Sequence, residues 1–149
     1  MALIEARKIV KQYHKRRVVD GVSLRVENGS VVGLLGPNGA GKTTTLSMIA
    51  GLLSKDSGTV SMIGNKQDIR REIGYLPQFP SFYSWMTAKE YLILVARLSD
   101  MSKREATVEA KEMLELVKLT DAKDQRIGGF SGGMKQRLGL AQAFIHQPK

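Results

Sequence analysis

No cysteine occurs among the 149 residues, which excludes disulfide bridges and thiolate metal sites. No apolar run approaches the ~20 residues that a bilayer-spanning helix needs. The most apolar stretch, Tyr91 to Ala96, is short and is closed by Arg97. The opening Met1-Ala2-Leu3-Ile4-Glu5 places an acid where a secretory signal needs an unbroken apolar core, so no export signal is expected and the chain reads as cytosolic. Internal repeats and low-complexity tracts are missing too. Acids are scarce, 14 against 23 Lys and Arg, leaving a formal net charge of +9. Such a charge invites a nucleic-acid reading. The cations are spread along the chain, however, with one cluster at His14-Lys15-Arg16-Arg17 and no aromatic interleaving beyond Tyr13. No zinc, helix-turn-helix or RNA-binding signature accompanies them. A solvated basic surface is the plainer reading, and no nucleic-acid partner is expected.

What is present suits one soluble domain with a core of its own: 42% hydrophobic and 25% charged residues over a domain-sized chain. Val22, Leu24 and Val26 alternate with polar neighbours as a half-buried strand does. Asn28-Gly29 gives a tight-turn signal, since both residues tolerate positive φ. Val31-Val32-Gly33-Leu34-Leu35 then predicts a strand buried on both faces. In Lys42 to Leu53, the residues Leu46, Ile49, Ala50 and Leu53 predict one apolar helical face. Thr59 to Ile63 and Ile73 to Leu76 read as short strands. From Thr87 the pattern turns helical, with capping-box spellings at Thr87-Ala88-Lys89-Glu90 and Ser102-Lys103-Arg104-Glu105. Ala106, Ala110, Met113, Leu114 and Val117 line one face of the second helix. Met134, Leu138, Ala141 and Ile145 line a later helix that begins near Ser131. Strands mostly first and helices after give an α/β core with a helical insertion.

Between the strand at Val31 and the helix at Lys42 stands Gly36-Pro37-Asn38-Gly39-Ala40-Gly41-Lys42-Thr43, which fits G-x-x-x-x-G-K-[ST] at every fixed position. Glycines let the backbone curl so that its N–H groups point inward at phosphate oxygens. The following helix adds its positive dipole end and unpaired amides. Lys42 can reach β- and γ-phosphates, and the Thr43 hydroxyl is placed to ligate Mg²⁺. An ordinary glycine-rich turn before a helix is the alternative. The full pattern in a strand–loop–helix context favours phosphate binding.

Gly36 to Thr44, read as GPNGAGKTT, resembles the Walker A motif of ATP-binding cassette (ABC) ATPases. Ile73-Gly74-Tyr75-Leu76-Pro77-Gln78 resembles that family's Q-loop. Phe130-Ser131-Gly132-Gly133-Met134 resembles its signature motif, and Lys135-Gln136-Arg137-Leu138 the helix that continues it. Tyr13, ahead of Val18-Val19-Asp20-Gly21-Val22-Ser23-Leu24, resembles the aromatic A-loop residue. The resemblance covers essentially the whole chain. It implies a P-loop NTPase core of ABC type, with an N-terminal antiparallel β portion and a helical subdomain. It divides residues 1–149 into a β portion with the P-loop (1–86), a helical subdomain (87–130) and a signature helix (131–149).

The resemblance also implies site roles. ATP and Mg²⁺ would be the cofactors. Tyr13, Gly36, Pro37, Asn38, Gly39, Ala40, Gly41, Lys42, Thr43 and Thr44 would hold the nucleotide, and Thr43 and Gln78 the metal. Lys42, Gln78, Ser131 and Gly133 would act on the phosphates, the last two on nucleotide held by a second, head-to-tail subunit. From residues alone, alternatives stay open. Tyr13 could pack at a strand edge, Gln78 could meet only solvent, and Ser131 could be a plain N-cap. Phe79, Pro80, Phe82, Tyr83 and Trp85 would begin the surface facing a transmembrane partner, or could pack against the helix from Thr87. Met134 stands where the family usually has glutamine and Phe130 where it often has leucine. The departure at Met134 removes that glutamine's contribution and leaves the Ser-Gly-Gly amides.

In the family a Walker B strand follows the signature helix and ends in an aspartate for Mg²⁺ and a glutamate that polarises water. Here Gln147-Pro148-Lys149 resembles the lead-in to that strand, so part of the parallel sheet is expected to be missing. His146 precedes that point and is not expected to be the family's switch histidine. These residues alone are expected to bind ATP with at most weak hydrolysis, and to expose apolar edges. The implied whole is an exporter-like ATP-binding subunit, peripheral on the inner face of the membrane through separate membrane subunits. A non-transport ABC ATPase acting on ribosomes or DNA is the alternative; it would show a tandem cassette or coiled-coil arms, and neither is visible.

Overall fold

Two long strands, β1 (Ala2–Tyr13) and β2 (Arg16–Glu27), open the computed structural model, which describes residues 2–62 and 69–148. They form an antiparallel hairpin around His14 and Lys15, so the basic cluster is an exposed hairpin tip. There Arg17 pairs with Asp20 at 2.9 Å. β3 (Ser57–Met62) adds antiparallel to the other edge of β1, giving the order β2-β1-β3. Ile63 of the expected strand lies outside the described residues.

β1 was not legible as a strand. Register irregularities follow Ala6, Ile9 and Lys11, and Lys8 takes φ 46°, so the buried residues Ala6, Ile9 and Lys11 do not keep a strict alternation. β2 does keep one as far as Val26: Val22, Leu24 and Val26 are half-buried and alternate with exposed Gly21, Ser23 and Arg25.

By contact the chain divides into two compact units, Met1–Arg70 and Arg71–Lys149. In the first, Ala6, Ile9 and Val19 pack with Met48 and Ile49 of α1 (Lys42–Ile49). That helix is shorter than expected. Gly51 at φ 71° donates its N–H to the Met48 carbonyl, and Leu52 donates to Ser47, a paired stop that ends α1 a turn early. Its buried face is Thr45, Met48 and Ile49, and Leu46, expected inside, is half-exposed.

The strand expected at Val31–Leu35 does not form. Val31 is 100% and Leu35 94% exposed, and no described strand pairs with this segment. A strand buried on both faces needs a neighbour on each edge to take its N–H and C=O groups. Without them the backbone turns to water and Val31, Val32 and Leu35 stay exposed, while Leu34 is half-buried.

In the second unit, α2 (Ala88–Leu98), α3 (Lys103–Leu116) and α4 (Gly132–Phe144) enclose Leu92, Ala96, Ala106, Ala110, Leu114, Leu138, Ala141 and Ile145. The expected faces of α3 and α4 are the buried ones. Ile73–Leu76 is not in a ladder and lies instead along α4, with the Gly74 backbone against the Ala143 carbonyl. Its strand spelling also lacks a neighbour to pair with among the described residues.

Candidate functional site

The loop from Gly36 to Ala40 is solvent-exposed and is tightened by the Ala40 N–H donating to the Pro37 carbonyl at 3.2 Å. It enters α1 through Gly41 at φ 85°. A Cβ there would run into the Val18 carbonyl oxygen, so this position accepts only glycine. The Lys42 ammonium curls back over the loop and donates to the carbonyls of Gly36 at 2.6 Å and Pro37 at 2.7 Å. Thr43 is exposed in the first turn of α1, Thr44 is half-buried and Thr45 buried.

The starts of the four helices differ in kind. α2 and α3 each carry a complete capping box: Thr87 and Glu90, then Ser102 and Glu105, exchange both bonds at 2.8–3.3 Å. The Thr87 N–H holds the Glu90 carboxyl below the usual range, and the Ser102 side chain and N–H do the same for Glu105. α1 has no side-chain cap and no acid in its first turn. α4 has no acid there either. Ser131 caps it by accepting from the Met134 N–H at 3.2 Å, and nothing would crowd a Cβ at Gly132 or Gly133. Bare amides at the positive dipole end, with no carboxylate to compete, suit an anion.

The other expected site residues stand as follows. Tyr13 ends β1 and is 45% exposed. Gln78 is exposed in the second unit, and its carbonyl accepts from Gln136 Nε2 of α4 at 3.1 Å. Met134 packs partly buried against the helical core. His146 Nε2 is buried without a hydrogen-bond partner among the described residues. The aromatic group divides. Phe82 meets Tyr91 edge-on at 5.2 Å and Tyr83 meets the same ring at 6.3 Å. Tyr83 also leans on Trp85 at 5.8 Å, and Tyr83, Trp85 and Phe79 all stay largely exposed. Pro80 is half-buried.

Two contributors escaped the sequence reading. Gln136 ties the segment at Gln78 to α4. Arg137 donates to the carbonyls of Val117 at 3.3 Å and Lys118 at 3.0 Å, supplying a cation at the end of α3, whose own last turn has none. Their partners lie too far away in sequence for spacing to reveal. Among the described residues no group of three or more His, Asp or Glu could hold a metal.

The sequence profile described as "ABC transporter" matches residues 19–149. The chain is 56% identical over 147 residues to the uncharacterized ABC transporter ATP-binding protein YxlF of Bacillus subtilis, covering 99% of this chain and 50% of that protein. It is 40% identical over 153 residues to the Nod factor export ATP-binding protein I of Burkholderia lata, again covering 99% and 50%. A solved ATP-binding subunit of an ABC transporter superposes with a TM-score of 0.85 at 31% identity, covering 98% of this chain and 63% of that one. The chain thus spans about half the length of the curated relatives it matches.

Proposed function

The chain belongs to the ABC transporter family, and from that premise we propose that it supplies the ATP-binding part of a nucleotide-binding subunit that couples ATP binding and hydrolysis to transport by separate membrane subunits. The observation that carries this is the start of α1: an uncapped, acid-free helix entered through a left-handed Gly41 with Lys42 folded over the loop. This donor set fits a polyphosphate. On binding, Lys42 exchanges two neutral carbonyl acceptors for charged phosphate oxygens, which make stronger hydrogen bonds. The amides of the loop and first turn take the remaining oxygens. Tyr13 offers its exposed ring to the base.

Mg²⁺, when bound with the nucleotide, neutralises phosphate charge; Thr43 and Gln78 are the side chains that would hold it. Ser131, Gly132 and Gly133 are assigned to the γ-phosphate of nucleotide held by a second copy, head to tail. The bare start of α4 supports that assignment. The relative named for Nod factor export supports an export reading, which would place the subunit on the inner face of the membrane through its membrane partner. Exposed Phe79, Tyr83 and Trp85 are then the side chains offered to that partner.

Phosphoryl transfer needs metal, water and charge positioned together. The family's Walker B carboxylates are not among these 149 residues, so the chain by itself binds ATP and turns it over at most weakly. Calorimetric titration with Mg-ATP is expected to show binding that Lys42→Ala weakens by at least about tenfold, the loss of one charged hydrogen bond. Equal affinity in the variant would sink the phosphate role of Lys42. Family-typical steady-state turnover by the unmodified chain would sink the binding-only reading.

A further inference from the structure

β1 runs on past the point where β3 begins. Val10 is opposite Ser57, and the Asp56 N–H still donates to the Val10 carbonyl at 2.9 Å. Beyond that, Lys11, Gln12 and Tyr13 pair with β2 alone among the described strands. The Asp56 side chain takes the place of the missing ladder. Its Oδ2 accepts the Gln12 N–H at 2.6 Å, and its Oδ1 accepts Lys11 Nζ at 3.0 Å. The Gln12 N–H first, and then Lys11, hold this carboxyl below its usual range.

Lys11 is unusual for a lysine in being only 9% exposed. Its ammonium lies over the Tyr13 ring, 5.5 Å from the centroid. Residues i and i+2 of a strand project to one side, which brings the two together. Tyr13 remains 45% exposed, so the lysine covers part of the ring and leaves the rest to solvent.

We propose that Lys11, anchored by Asp56, is a positioning residue for the nucleotide base: it braces the Tyr13 ring from one side so that the open face meets adenine. The proposal rests on the base-stacking role assigned to Tyr13 above. An exposed ion pair by itself contributes little. Here the carboxylate also takes a backbone amide and the lysine is buried, so the ammonium has a fixed place. A tyrosine at the end of a hairpin strand would otherwise lose rotamer freedom on binding, and bracing it beforehand removes that cost from the binding step. The cation also attracts the ring electrostatically, which holds it in the braced orientation.

The test titrates two ligands, ATP and inorganic tripolyphosphate, into the chain and its variants by calorimetry. Tripolyphosphate reads the loop alone, and ATP reads the loop and the base. Tyr13→Ala is expected to weaken ATP about tenfold and leave tripolyphosphate unchanged. Lys11→Met is expected to weaken ATP about two- to fivefold, again without touching tripolyphosphate. Lys11→Arg restores most of the loss. In a Tyr13→Ala background, Lys11→Met does nothing further to ATP. Asp56→Asn keeps an acceptor for Gln12 but releases the lysine, and provides a second variant should Lys11→Met fold poorly; it too is expected to weaken ATP alone. Unchanged ATP affinity in both Lys11→Met and Asp56→Asn, with loss in Tyr13→Ala, overturns the bracing role and leaves stacking intact. Equal losses for both ligands overturn it in favour of a purely structural pair. No loss in Tyr13→Ala removes the stacking role, and the bracing role with it.

Discussion

Gly41 and Gly39 both take left-handed backbone, at φ 85° and 82°, yet only one of them is hemmed in. A Cβ at Gly41 would meet the Val18 carbonyl and lie 3.2 Å from Val19 Cγ2, whereas a Cβ at Gly39 meets nothing within 4 Å. Gly39→Ala is therefore expected to destabilise by about 1 kcal/mol, the left-handed penalty alone. Gly41→Ala should exceed about 2 kcal/mol and displace the loop as well. Urea unfolding compares them, and equal effects would refute the steric account. The glycine spacing of the loop was readable because each fixed letter answers to a local backbone demand. Ser131 as N-cap was readable for the same reason. Lys11, Asp56, Gln136 and Arg137 were not, because each acts on a group reached only through the fold: a strand edge 45 residues away for Asp56 and Lys11, and a helix end 19 or 20 away for Arg137.

Among the elements, helices came through the sequence better than strands. Their signals are local: the capping boxes at Thr87 and Ser102 formed with both bonds, and the apolar faces of α3 and α4 are the buried ones. The early end of α1 was spelled out by Gly51, a signal the apolar spacing through Leu53 overrode. Strands depend on neighbours, and Val31–Leu35 and Ile73–Leu76 found none among those described. Thr87→Ala is expected to cost about 1 kcal/mol, the usual value of an N-cap, read as a lower urea midpoint for the helical unit. The capping carboxyls also set a pH dependence. Folding lowers the pKa of Glu90 and of Glu105, so the stability they add is full above their ordinary unfolded value of about 4.3. It is lost as pH falls through the lowered folded values. Glu90→Gln with Glu105→Gln should be less stable than the unaltered chain at neutral pH and should converge with it in acid. A difference that persists undiminished in acid would show that the charge is irrelevant.

For the molecule as a whole, the exposed apolar segment at Val31–Leu35 is the chief liability. A stretch that spells a buried strand and pairs with no described strand is a template for association. Concentration-dependent self-association is expected by light scattering, and Val31→Lys with Leu35→Lys should reduce it. A chain that stays monodisperse without those changes would contradict this. The net charge of +9 opposes such association only generally, and added salt of any kind screens it. The four helix starts respond differently. Two carry their own carboxylates, and two, at Gly41 and Ser131, have no acid in the first turn. For the latter pair the identity of the dissolved anion counts as well as its concentration. Sulfate, a tetrahedral mimic of phosphate, can seat where the nucleotide would, so thermal midpoints should rise in sulfate above those in chloride at equal ionic strength. Part of that rise comes from general salting-out and part from the start of α4, and Lys42→Ala should remove only the share seated at the loop before α1. The choice of buffer is thus already a choice of ligand.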